Sequence, residues 1–369
     1  MPATGKIHIH LPNIQKAEMN LCKFTHHGRK KWYESRLSLA ALRSLLVRLR
    51  AIPFPMSNLT LTGTRRNICN FFPSLKILLS HLNRIAFGDS YTFVQGTSGY
   101  PNYSFIGSYL PGQFAFTPQT LLSNKIVQNF TATAEGGPNW VEYLTGCGLK
   151  DGTLPSTCDI QLWNFAFAGA DVSEEFLPLH HDYTIPLVNQ TQQYLTYAEP
   201  VIGKKMDKRR ALVAVWIGIN DVNDSVKQLT NVSLPEFWAK EISAIFEQTA
   251  IPMFEAGYRN FLFVNLPPLD RTSANQKLAQ PRPSKQEVGY WNSELTAQAK
   301  AFGKQTGARA MVYDANSFLN GVMDHPERYD IMNTTDYCAA YNQIEVLSDP
   351  EKFGCAPLEN YFWYNSGHL

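Results

Sequence analysis

None of the six cysteines stands in Cys-x-x-Cys spacing, which excludes a zinc ribbon and a thioredoxin-type redox motif. The chain also lacks an apolar run that could cross a bilayer. The short apolar stretch from Leu37 to Leu49 is interrupted by Arg43 and Arg48, whereas a spanning helix needs about 20 apolar residues. The same arginines spoil it as the core of a signal peptide. There is no internal repeat, heptad run or low-complexity tract, so solenoids and coiled coils are excluded as well. Acid is scarce at one end: from Met1 to Ile85 fourteen Lys/Arg stand against only Glu18 and Glu34, giving +12, and the remainder carries −10.

That asymmetry divides the chain into a basic, poorly structured extension over residues 1–80 and an acidic globular domain over 81–369. The extension is read as irregular chain or as a misplaced gene start, ahead of an atypical targeting segment. Arg29-Lys30-Lys31 and Arg48/Arg50 could suit a nucleic-acid arm, but no zinc spacing or aromatic-basic fold signature accompanies them. Neither a nucleic-acid nor a membrane partner is expected. With 369 residues and 44% hydrophobic content, the chain can bury one substantial core.

Strand-like runs end near Phe87, Phe167, Ile217, Val264 and Tyr313, and helical spacing covers 234–256 and 285–302. Such alternation predicts an α/β fold with a parallel sheet covered by helices on both faces. In open sheets of that kind, sites lie at the C-terminal ends of the strands. Three candidate blocks fall there. Gly88-Asp89-Ser90-Tyr91 follows the first run, Ala168-Gly169-Ala170 the second, and Gly218-Ile219-Asn220-Asp221 the third; Trp363-Tyr364-Asn365-Ser366-Gly367-His368 arrives on a final loop. Gly-Asp-Ser alone is a weak signal, because all three residues are ordinary turn formers. With the other blocks it can build a serine esterase. His368 can take the proton of Ser90, while the Ser90 N–H, the Gly169 N–H and the Asn220 amide can face a developing oxyanion.

Taken in order, Ser90, Gly169, Asn220 and His368 resemble the SGNH (GDSL) hydrolases. The text around Gly136-Gly137-Pro138-Asn139-Trp140 and Asn265-Leu266-Pro267-Pro268-Leu269-Asp270 is similar to the fungal carbohydrate acetylesterases of that family. The resemblance spans about Asn83 to Leu369. It implies a three-layer α/β/α fold with a mostly parallel, flavodoxin-like sheet. It also implies catalytic Ser90 and His368, an oxyanion hole of Ser90, Gly169 and Asn220, and a turn-shaping role for Asp89. Two departures stand out. Asn365 occupies the position of the family's aspartate, three residues before the histidine, where an amide can orient the imidazole but cannot stabilise its charge. And only Leu369 follows His368, so the base is expected to fray.

Cys147/Cys158 and Cys338/Cys355 have spacings that suit local disulfides, although sequence cannot fix the connectivity. Sequons at Asn58, Asn102, Asn129, Asn189, Asn223, Asn231 and Asn333 join them in favouring secretion. His180 and His181 are read as solvated or capping because adjacent residues share no helical face, and Asp221 and Asp224 as solvated loop carboxylates. Trp216, Trp163 and Phe165 are assigned to the core; Tyr91, Trp363 and Tyr364 are candidates for stacking on a sugar. The expected protein is a secreted, monomeric carboxylic-ester hydrolase without cofactor or metal, deacetylating plant cell-wall oligosaccharides. A lipase or general esterase on small acyl esters and a catalytically impaired carbohydrate-binding relative are the alternatives.

Overall fold

Five short strands carry the apolar runs: β1 (Asn83–Gly88), β2 (Gln161–Asn164), β3 (Ala211–Trp216), β4 (Asn260–Val264) and β5 (Arg309–Tyr313). They form one parallel sheet in the order β2-β1-β3-β4-β5. The computed structural model describes residues 83–98 and 117–369. The extension over 1–80, Cys22, Cys69 and the sequons at Asn58 and Asn102 lie outside the described residues.

Side chains on a strand alternate between the two faces of the sheet. Every residue of β3 and β4, and all of β1 after Asn83, is buried. Both faces are therefore covered, and the architecture is a three-layer α/β/α sandwich. Ile85, Phe87, Leu212, Val213, Phe261 and Phe263 are among the core residues, and Phe87 packs its ring against Phe165 and Tyr194. The edge strand β5 is largely uncovered.

The order 2-1-3-4-5 reverses direction between β1 and β3, and such a switch point opens a crevice outside the strand C-termini. Gly88 and Trp216, the last residues of β1 and β3, lie side by side. β2 ends at Asn164, three residues before the apolar run stops, but Phe165 and Phe167 continue to donate to the carbonyls of Ala86 and Gly88 (2.7 and 3.0 Å). The turn after β2 is thereby held against β1.

Four helices bear on the site: α1 (Trp140–Thr145), α2 (Leu187–Gln193), α3 (Ile219–Gln228) and α4 (Lys285–Thr306). α4 begins with a capping box in which Ser284 and Glu287 each accept the other's backbone N–H, and ends at Gly307 in the left-handed conformation. The single helix expected over 234–256 is divided: a π-helical turn over Ile245–Ala250 separates Leu234–Ala244 from Ile251–Glu255. Pro252 supplies no N–H to the ladder, and the wider turn precedes it. Among the described residues, no helix is long and apolar enough to cross a membrane.

Cys147 is bonded to Cys158 and Cys338 to Cys355. The second bridge anchors a small apolar cluster of Cys338, Val346 and Cys355, against which Phe130, Phe353 and Tyr361 pack.

Candidate active site

Ser90 sits where β1 breaks into a tight turn. Gly88 makes that break possible: its φ is +147°, and a Cβ there would stand 2.1 Å from the Trp216 carbonyl oxygen. Gln190 of α2, fully buried, clamps the same residue. Its Oε1 accepts the Gly88 N–H (3.0 Å), and its Nε2 donates to the carbonyls of Gly88 (2.8 Å) and Ile185 (2.9 Å). Asp89 turns beneath the serine. One carboxylate oxygen accepts the Tyr91 N–H (3.0 Å), and burial, with Asp221 nearby, pushes its carboxyl up to about 8. Ser90 itself is 8% exposed.

The final loop delivers His368 to this turn. Its Nε2 lies 2.8 Å from Ser90 Oγ and its Nδ1 2.9 Å from Asn365 Oδ1. The proton positions follow from the backbone. Asn365 Oδ1 also accepts the N–H groups of Gly367 (3.0 Å) and His368 (2.9 Å), so this atom is the amide oxygen and not its nitrogen. An acceptor facing Nδ1 requires Nδ1–H, which leaves the Nε2 lone pair to receive the Ser90 hydroxyl proton. Asn365 thus fixes the imidazole tautomer without bringing charge. Burial pushes His368 down to about 4, so the ring is neutral at ordinary pH.

The fraying expected of His368 is absent. Its carbonyl accepts the Tyr364 N–H (2.8 Å), the Ser366 carbonyl accepts the Ala274 N–H (3.4 Å), and the Tyr91 hydroxyl donates to the Gly367 carbonyl. Tyr91 and Trp363 are corrected as sugar platforms, since they are 2% and 0% exposed. Tyr91 packs on the His368 ring (centroids 5.1 Å apart) and on Trp216 (5.2 Å), and Trp363 bonds the Thr334 carbonyl (3.1 Å). Tyr364 is half-buried, edge-on to Phe130 and Tyr341. Trp163, Phe165 and Trp216 are core residues, as expected.

Two further elements meet the serine turn. Gly169 has φ +81°, which aligns its N–H outside any strand ladder. Among the described residues, neither the Ser90 nor the Gly169 N–H donates to a protein acceptor. Asn220 is in the first turn of α3, and its Nδ2 donates to the Ala170 carbonyl (2.8 Å), joining it to the Gly169 turn and leaving the second amide hydrogen uncommitted. Gly218 starts that helix at φ +110°, in a space where a Cβ would lie 2.2 Å from the ring of Trp291. A neutral base on a hydroxyl, beside unused N–H donors, is equipped for acyl transfer.

A family model described as GDSL-like Lipase/Acylhydrolase matches residues 85–353. The chain belongs to the GDSL lipase/acylhydrolase family. As a GDSL acylhydrolase it is a hydrolase of ester bonds. The matched stretch contains Ser90, Gly169 and Asn220 and stops short of Asn365 and His368. An acetylesterase from the fungus Thermothelomyces thermophilus is 30% identical over 225 residues, 58% of this chain and 69% of the relative. A thermolabile hemolysin from Vibrio parahaemolyticus is 24% identical over 209 residues, 55% of this chain and 43% of the relative. Among solved structures, an extracellular lipase from Streptomyces rimosus is 13% identical with a TM-score of 0.33, covering 65% of this chain and 82% of that one. An acetylxylan esterase from Geobacillus stearothermophilus is 16% identical with a TM-score of 0.30, covering 66% and 81%.

Several residues that hold the serine turn had no structural role assigned from the sequence. Gln190 reads as an ordinary polar helix residue, and Tyr91 as a ring facing substrate. Asn139 and Trp140, at the start of α1, bond the Phe93 carbonyl (2.9 Å) and the Thr92 hydroxyl (3.2 Å), bracing the chain after Ser90. Asp221 is corrected as well: it is on α3, fully buried, and accepts the Val172 N–H (2.7 Å). His181 is exposed and stacked on Tyr183, and His180 is exposed too, as expected, but it has a partner. Its Nε2 pairs with Asp224, and that bond raises the imidazole pKa.

Proposed function

We propose that Ser90 is the nucleophile of an acetyl-ester hydrolase, with His368 as its base and Asn365 as the residue that orients the imidazole. The observation that carries this reading is the 2.8 Å approach of a lone-pair-bearing Nε2 to Ser90 Oγ. In the first half-reaction Nε2 takes the hydroxyl proton as Oγ attacks the ester carbonyl. The tetrahedral oxyanion is held by the Ser90 and Gly169 N–H groups and the free hydrogen of the Asn220 amide. As the C–O bond breaks, His368 returns the proton to the leaving alcohol. Water, activated by the same nitrogen, then releases the acid and restores Ser90.

The substrate we infer is an acetylated plant cell-wall oligosaccharide. Support comes from likeness to the fungal acetylesterase, which the chain matches over 69% of that protein's length. Two disulfides within the described residues favour secretion, and we extend the proposal to a monomeric, glycosylated extracellular enzyme with a separate N-terminal extension over 1–80. Acetate release from acetylated xylo-oligosaccharides, set against p-nitrophenyl esters of increasing acyl length, tests the assignment. The proposal requires a kcat/KM maximum at acetyl and turnover of the oligosaccharide. A maximum at eight carbons or longer assigns the chain to lipid esters instead.

A further inference from the structure

A second cluster of chemistry-bearing side chains lies behind the Gly169 turn. Asp171 follows that turn by two residues, is 2% exposed, and has no hydrogen-bond donor at either carboxylate oxygen. Asp224 lies one helical turn beyond Asn220, on the same face of α3. His180 packs against Gly169, with its Cβ 3.5 Å from where a Gly169 Cβ would be, and directs Nε2 at Asp224. Donor atoms from Asp171, His180 and Asp224 all lie within 4.8 Å of one another.

The carboxylates of this region outnumber their cationic partners: among the described residues His180 is paired with one of them, Asp224. Asp221 and Glu241 are fully buried beside it. Among the described residues, no lysine or arginine is ion-paired to Asp171, Asp221, Asp224 or Glu241. Asp221 and Glu241 can share a proton with each other, and the Val172 N–H serves Asp221. Asp171 lacks such a partner, and burial, with Asp221, Asp224 and Asp89 nearby, pushes its carboxyl up to about 9. A buried carboxylate without a donor costs several kcal/mol unless it is neutralised or bound to a cation.

We propose that Asp171, His180 and Asp224 bind one divalent cation of the zinc or manganese class, which ties the Gly169 turn to the Asn220 helix. One imidazole nitrogen and two carboxylates suit these ions better than magnesium or calcium, whose ligands are oxygens. Ligands about 2.1 Å from a shared zinc stand roughly 3.4 Å apart, so the His180 and Asp224 atoms, now in direct contact, must part to admit the ion while Asp171 draws in. The ion replaces the proton between His180 and Asp224 and supplies the partner that Asp171 lacks. His180, 31% exposed at its side chain, leaves an entry path. The ion is structural: it does not touch the reacting ester, and it sets the spacing between two of the three oxyanion donors.

The full chain, stripped with chelator and dialysed, is titrated with ZnCl2, MnCl2 and CaCl2 by calorimetry, with metal content read by mass spectrometry. One equivalent of zinc or manganese is expected, with a rise in melting temperature on loading. Asp171→Asn and His180→Ala should each weaken binding about a hundredfold or more. His180→Ala is a surface truncation that leaves the core intact, so it remains informative if Asp171→Asn misfolds. Ser90→Ala should bind the cation normally, which separates this proposal from the catalytic one. The absence of saturable binding, affinity unchanged in His180→Ala, or a preference for calcium overturns it.

Discussion

Asn365→Asp converts a neutral acceptor into a charged one without moving it. The amide oxygen lies 2.9 Å from His368 Nδ1, and a carboxylate there faces an imidazolium centre about 4 Å away. Two unit charges at that distance interact by about 4 kcal/mol at an effective dielectric of about 20. This is equivalent to about three pKa units and lies at the top of the one-to-three-unit range for neighbouring opposite charges. His368 starts from about 4, so the acid limb of kcat/KM should move to between about pH 5 and pH 7. Above the limb, kcat should rise at least tenfold if about a third of that energy is expressed in the transition state. One cost opposes the gain: Asn365 Nδ2 donates to the Ala134 carbonyl at 3.5 Å, and a carboxylate oxygen would face that carbonyl instead. Melting temperatures should therefore accompany the pH-resolved kinetics on acetyl esters, with Asn365→Ala as control. An acid limb that stays near pH 4 with unchanged kcat would mean that the side chain is off the imidazole during turnover. An Asn365→Ala variant as active as the parent would reduce the machinery to a Ser-His dyad.

Three further outcomes follow from the geometry. Asn220→Ala should lower kcat by roughly 10² to 10³ while changing KM less, because the bond to the oxyanion strengthens as charge develops; equal kcat in the steady state removes Asn220 from the oxyanion hole. Gly88→Ala should cost about 2 to 4 kcal/mol in urea unfolding, since its Cβ meets the Trp216 carbonyl at 2.1 Å, and a loss under about 0.5 kcal/mol contradicts that packing. Replacing Cys338 and Cys355 together by serine should destabilise by about 3 kcal/mol, from the 17-residue loop the bond closes. Activity should fall with it, because the cluster it anchors takes in Phe130, against which Tyr364 packs.

The sheet was legible because β1, β3 and β4 are buried on both faces and so read as unbroken apolar runs. Their C-terminal ends then located Ser90 and Asn220 without reference to tertiary contacts. The division of the helix over 234–256 was less visible, since helical segments continue on both sides of the π turn. Misreadings concentrated where local sequence is silent about distant partners. Tyr91 looked like a platform because an aromatic beside a nucleophile is equally compatible with packing on the base. His180 is exposed, as read, but its pairing went unseen because Asp224 arrives from another element 44 positions later in the chain. The secure hold on His368 could not be read from one trailing residue, for it depends on Tyr91, Ala274 and the two N–H groups that turn Asn365 inward.

The most direct test of the central claim is chemical trapping of the nucleophile. The protein is incubated with a fluorophosphonate ester, digested, and mapped by peptide mass spectrometry, with Ser90→Ala and His368→Ala alongside. One phosphonyl group on the peptide containing Ser90 is predicted. Labelling should be lost in Ser90→Ala and slowed at least a hundredfold in His368→Ala, consistent with the usual contribution of a general base. Stoichiometric labelling that persists in Ser90→Ala, or hydrolysis of acetyl esters at the parental rate by that variant, would contradict the account.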